Sequence, residues 1–263
     1  MRRLFVGLCA VVLGLTGVAC GEDTGGGGGG GVNQLAAAAD SATEAGSSRM
    51  TMTMAMSVSG QELEIEGEGA FDFDAEIGEM TMTVSGAGLG EPQSIETIVD
   101  STYLYMKMPE QLGGDGGWIR MDLTSIPGGA NQFSQDPSQY LSFLRGASDE
   151  IEEVGTEEID GTETTHYRAE LSFDKILEQA PNDEAADEIR TQLEALGGEV
   201  DSIPADVWID EDGLPRRMEL KMSVEAQGES AEMDITMDLF DYGVEVDVEP
   251  PSDYEEISSP PGG

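Results

Sequence analysis

Met50-Thr51-Met52-Thr53-Met54-Ala55-Met56-Ser57-Val58 alternates apolar with small polar side chains without a break. A period of two residues sends successive side chains to opposite faces of a strand. The stretch therefore predicts a strand with one apolar face and one wet face. Downstream the polar register is taken by acids. Leu63, Ile65, Phe71 and Phe73 share one parity, while Glu62, Glu64, Glu66, Glu68, Asp72 and Asp74 hold the other. The pattern recurs in Met80, Met82 and Val84, in Met218, Leu220, Met222 and Val224, and in Met233, Ile235, Met237 and Leu239. Acids on a wet face indicate an antiparallel sheet, because parallel sheets are covered on both sides.

Shorter strands lie between these. Ile95–Val99 and Thr102–Met108 read as a hairpin across Asp100-Ser101, followed by a strand over 117–123 that carries Trp118. Ile151–Ile159 and Thr164–Phe173 flank Asp160-Gly161, and Val207-Trp208-Ile209 meets Met218–Val224 across Asp212-Gly213; both dipeptides are hairpin-turn signals. Three helical regions are expected. Gln34–Ala45 is alanine-rich. Asp136-Pro137 starts a helix whose Tyr140, Leu141, Phe143 and Leu144 follow at helical spacing. A third region spans 174–196 and is broken at Pro181.

The N-terminus reads as a bacterial export signal, with Arg2 and Arg3, an apolar run from Leu4 to Leu15, and small residues up to Ala19. Cys20 then stands where a lipoprotein receives its diacylglycerol, although Gly17 occupies a position where a Leu-like residue is usual. Two alternatives remain open: a plain secretory cut near Ala19, and a spanning helix. The apolar run is shorter than the roughly 20 residues a bilayer needs. The expected organisation is a signal peptide at 1–19, a lipidated Cys20 with a Gly-rich tether at 20–33, one domain at 34–251 and a disordered tail at 252–263. Gly25–Gly31 is unbroken glycine. The roughly 15 residues after Cys20 would reach about 20 Å from the membrane.

The chain has 54 acidic and 12 basic residues and a net charge of −42. That excludes nucleic acid, whose binding rests on cationic contacts to phosphate. It also disfavours electrostatic docking on anionic headgroups. Only Cys9 and Cys20 are present, and Cys9 lies in the signal, so the mature fold holds no internal disulfide. Thiol nucleophiles, cysteine zinc sites and histidine-based metal sites are absent, since His166 is the single histidine. No nucleophile elbow, zinc-protease helix or phosphate loop appears. A tight turn accounts for Asp212-Gly213 without calcium. We expect no enzyme activity and no cofactor.

Most of the 14 methionines fall at apolar strand positions. Unbranched and polarizable, they can pack a core or line a surface that fits variable apolar partners.

Several segments carry a family likeness: Tyr103-Leu104-Tyr105 followed by Gly117-Trp118-Ile119, Gly155–Thr162 followed by His166-Tyr167, Val207–Arg217, and Phe240-Asp241-Tyr242-Gly243 before Pro250-Pro251. In these the chain resembles the LppX/LprG-type lipoproteins of actinobacteria, within the LolA-like superfamily, over roughly Met50 to Pro251. The resemblance implies an α+β fold: a strongly curved antiparallel sheet, a half-barrel, with helices packed over its concave face. It also implies an apolar cavity that holds acyl chains of lipids or lipoglycans, in a monomer tethered to the extracytoplasmic face of the cell membrane through Cys20. Met52, Met54, Ile65, Phe71, Phe73, Met82, Leu141, Leu144 and Met222 are the expected lining. The alternative is a cavity-poor sensor or adaptor lipoprotein of the same fold that binds an envelope protein partner.

Overall fold

The computed structural model describes residues 29–58, 61–86, 88–112, 114–125, 137–178, 186–187, 190, 202–226 and 229–257. Cys20, the signal segment, most of the third helical region beyond Glu178 and the last six residues lie outside them.

Twelve strands form one curved sheet: β1 (Ser47–Val58), β2 (Gln61–Asp72), β3 (Ile77–Gly86), β4 (Gln93–Val99), β5 (Tyr103–Lys107), β6 (Trp118–Asp122), β7 (Ser148–Ile159), β8 (Thr162–Ser172), β9 (Ser202–Asp210), β10 (Pro215–Ala226), β11 (Glu229–Phe240) and β12 (Glu255–Ile257). Their order across the sheet is β12-β6-β5-β4-β3-β2-β1-β11-β10-β9-β8-β7. Two antiparallel meanders, β1 to β6 and β7 to β11, are therefore joined where β1 lies beside β11. Helices α1 (Gly29–Glu44), α2 (Pro137–Ala147) and α3 (Phe173–Glu178) pack on one face. This is the expected α+β half-barrel.

The alternation sets the register. Met50, Met52, Met54 and Met56 stand opposite Leu239, Met237, Ile235 and Met233 of β11, and opposite Gly69, Gly67, Ile65 and Leu63 of β2. A slip of one residue would turn every one of these side chains onto the wet face. At the β7–β8 turn, Asp160 and Gly161 both take positive φ (48° and 83°), the mirror-image turn whose twist suits a hairpin.

Two boundaries differ from expectation. The helix α1 begins at Gly29, inside the glycine run assigned to the tether. Gly31 packs so closely on Ile151 that a Cβ there would meet the Ile151 carbonyl at 2.5 Å, so glycine there serves helix-to-strand contact.

The tail expected to be disordered from residue 252 instead supplies β12, which pairs in parallel with β6. Side chains secure it. The Arg120 guanidinium lies 4.2 Å from both the Tyr103 and the Tyr254 rings, donates to the Tyr254 hydroxyl at 2.6 Å, and pairs with Glu256. Proline spacing in the tail hid this strand, because its anchor lies 134 residues away in sequence. Arg120→Ala is expected to release β12. Amide exchange at 255–257 should accelerate while that of β4 and β5 stays unchanged; equal protection in both proteins would show that the ladder alone holds the strand.

Candidate functional site

Register carries one face across the whole sheet. All twelve methionines of the strands stand on it: four on β1, two each on β3, β10 and β11, and one each on β5 and β6. The helices cover this face unevenly. The first helix packs mainly on α2 and β7, with a lighter contact on β10; α2 touches β7 and β8, and α3 touches β8. Leu141 and Leu144 of α2 have no exposed surface, and Leu171, Ala205 and Val207 of the sheet are equally enclosed.

Toward β1, β2 and β3 the cover thins. Met52, Met54, Leu63, Met82, Met106, Ile235 and Met237 pack against the core but are only half-buried. Ile65 is half-buried beside them. Together they make a half-buried apolar strip, the methionine trough, on the face that bears the helices.

The nine expected lining residues fall into two groups. Met52, Met54, Ile65 and Met82 share the trough. Phe71, Phe73 and Met222 are buried in the core together with Leu141 and Leu144. Phe71 and Phe73 contact each other, with ring centroids 5.6 Å apart. Strand parity put seven of them, and helical spacing Leu141 and Leu144, on the apolar side, and neither gave a measure of how far the helices reach. Leu63, Met106, Ile235 and Met237 belong to the trough as well, and the same alternation marks them.

The opposite face is chemically different. An open recess of about 620 Å³ over β1, β2 and β3 is lined there mostly by polar residues, among them Thr51, Thr53, Glu66, Glu68, Thr81 and Thr83, with Met52 and Ala70 also at its wall. Hydroxyls and carboxylates make it unsuitable for a hydrocarbon chain. Further along this face, His166 is buried; its Nε2 lies 2.6 Å from Asp206 Oδ1, which also accepts from Arg168 Nε at 2.8 Å. The imidazole stacks on Trp208 with centroids 4.3 Å apart. His166 and Asp206 are buried and Arg168 is exposed beside them; the group lies on the face opposite the trough and ties β8 to β9. Among the described residues, no three His, Cys, Asp or Glu side chains are grouped to hold a metal ion.

The stretch 207–217 folds as a turn built on Asp210. Its carboxylate accepts from the Asp212 and Leu214 amides at 3.0 and 2.9 Å and from Arg216 Nε at 2.6 Å. Gly213 takes φ +80° there. No metal is required to shape it. Arg216 also lies 5.3 Å from the Tyr242 ring, whose hydroxyl donates to the Pro215 carbonyl at 2.5 Å.

Burial pushes the Tyr242 hydroxyl above the usual tyrosine value of about 10, and Arg216 offsets part of that rise. The folded state holds this proton more tightly than the unfolded chain. Its contribution is thus complete below about pH 10 and is lost as pH rises further. Tyr242→Phe should lose about 1 kcal/mol at neutral pH through the missing hydrogen bond. Its urea stability should then fall less steeply than wild type above about pH 10; parallel curves would remove Tyr242 from the alkaline transition.

No helix among the described residues is long and apolar enough to cross a membrane. No curated protein sequence matches the chain. Similar solved structures include LprF from Mycobacterium bovis, at 14% identity and TM-score 0.48 over 84% of this chain and 96% of that one. LppX from Mycobacterium tuberculosis is similar at 14% identity and TM-score 0.47, over 83% and 97%. The MucA/MucB complex of Pseudomonas aeruginosa gives 12% identity and TM-score 0.32, over 78% and 56%. The match that identifies the chain is to a family model: it spans residues 7–256, and the protein belongs to that family of unknown function, DUF7537.

Proposed function

We propose that the protein is an extracytoplasmic lipoprotein, anchored in the cell membrane through a lipidated Cys20, that holds acyl chains of lipids or lipoglycans along the methionine trough. The observation carrying this reading is the half-buried apolar surface of Met52, Met54, Ile65, Met82 and Met237, left thinly covered on the face that bears the helices. Each methylene buried there contributes about 0.8 kcal/mol. A stretch of roughly ten methylenes thus gains about 8 kcal/mol before ordering losses. Thioether side chains suit the task because they can repack around chains of different length and branching. A headgroup would remain at the trough's open end, and exchange with membranes would be passive. The chemistry is binding rather than turnover.

Native mass spectrometry of a chain starting at Gly21, purified without detergent, tests the reading. Near-stoichiometric bound lipid, released by solvent extraction, is the expected result. A bare mass, unchanged after incubation with envelope lipids, would reject lipid carriage and leave an adaptor that docks a protein partner.

A further inference from the structure

The methionine face holds a chemistry that apolar lining does not use. Valine, isoleucine and aromatic residues fit a pleated surface better than methionine does, yet the central rows are methionine. Met218, Met237 and Met52 stand directly opposite one another on β10, β11 and β1, and Met82 follows beyond Gly67 on β2. Gly67 has no side chain in this row, and the Met80 thioether packs over it. A Cβ built there would lie 3.1 Å from the Met80 sulfur and 3.6 Å from the Met52 Cβ, so both methionines border the same space. Opposed residues in adjacent strands hold their Cβ atoms about 5 Å apart. Three rotatable bonds let each thioether swing toward its neighbour.

We propose that Met52, Met80, Met82 and Met237 form a binding site for Cu(I) in the space above Gly67. Soft thioether donors select Cu(I) over the harder divalent ions. The carboxylates that would favour those ions occupy the opposite face, as Glu66 and Glu68 do beside Gly67. Met52, Met82 and Met237 are half-buried, which gives an ion access while keeping the site largely apolar. Thioethers carry no proton to displace, so affinity should not change between about pH 5 and 8, unlike thiolate or imidazole sites. The proposal does not rest on lipid carriage, and a protein showing either binding alone would separate the two.

The test is anaerobic titration of the full chain, with Cys9 and Cys20 replaced by serine so that no thiol competes, against the coloured Cu(I)–bicinchoninate complex. The wild-type protein is expected to remove a single equivalent of Cu(I), equally well at both ends of that pH range. Replacing Met52, Met82 and Met237 together by leucine keeps volume and removes sulfur; it should weaken binding by roughly tenfold or more. Met108→Leu, beyond the end of β5 and outside the proposed ligand set, should bind like wild type. Failure of the wild type to compete, or undiminished binding by the triple variant, would overturn the proposal. Should the triple variant misfold, Ag(I) added to wild-type protein labelled at the methionine methyls provides the same decision: shifts at Met52, Met80, Met82 and Met237 support the site, and unmoved resonances refute it.

Discussion

Leu144→Ala is expected to destabilise the protein by about 2–5 kcal/mol, and Leu141→Ala by a similar amount. Both leucines are at 0% exposure, in the hydrophobic core. Truncation there loses transfer free energy and leaves a cavity that surrounding strands, locked in a twelve-stranded ladder, cannot close. Met52→Ala should lose roughly half as much, because Met52 is half-buried and water can reoccupy part of the space. Urea unfolding of the three variants measures the contrast. Equal losses would mean that the trough is as tightly packed as the helix-covered core, and the distinction between the two regions would fall.

That distinction marks how far the sequence could be read. Alternation from Met50 to Val58 and its repeats specified strands, faces and antiparallel sense, because period-two burial leaves a direct trace in residue order. Turn chemistry was equally open: Asp160-Gly161 and the Asp210–Gly213 stretch fold as their composition predicts. Coverage was not legible. Whether Met54 or Met222 is sealed depends on where a helix distant in sequence comes to rest, and Met222 ends in the core while Met54 stays half-open.

Pairings between distant segments were hidden for the same reason. Asp206 gives no sign in sequence that it will meet His166 and Arg168, and Arg120 none that it will clamp Tyr254. Such contacts arise from strand order, and the placement of β12 beside β6 follows no local pattern.

Met54→Arg is expected to abolish lipid loading while leaving the fold intact. Met54 stands between Ile235 on β11 and Ile65 on β2, in the middle of the trough. Because the position is half-buried, an arginine there can lay its stem along the apolar surface and lift its guanidinium toward water. The folded protein tolerates that posture. An acyl chain does not, since lying over Met54 would seal an unpaired charge from solvent at several kcal/mol, more than a few methylenes contribute at about 0.8 kcal/mol each. Thr53→Arg supplies the control: it is one residue away, exposed, and points to the opposite face between Thr236 and Glu66. Native mass spectrometry should find the Thr53 variant loaded and the Met54 variant bare, with matching circular dichroism. If a folded Met54→Arg protein still carries lipid, acyl chains bind elsewhere, and the methionine face belongs to the core or to Cu(I) alone.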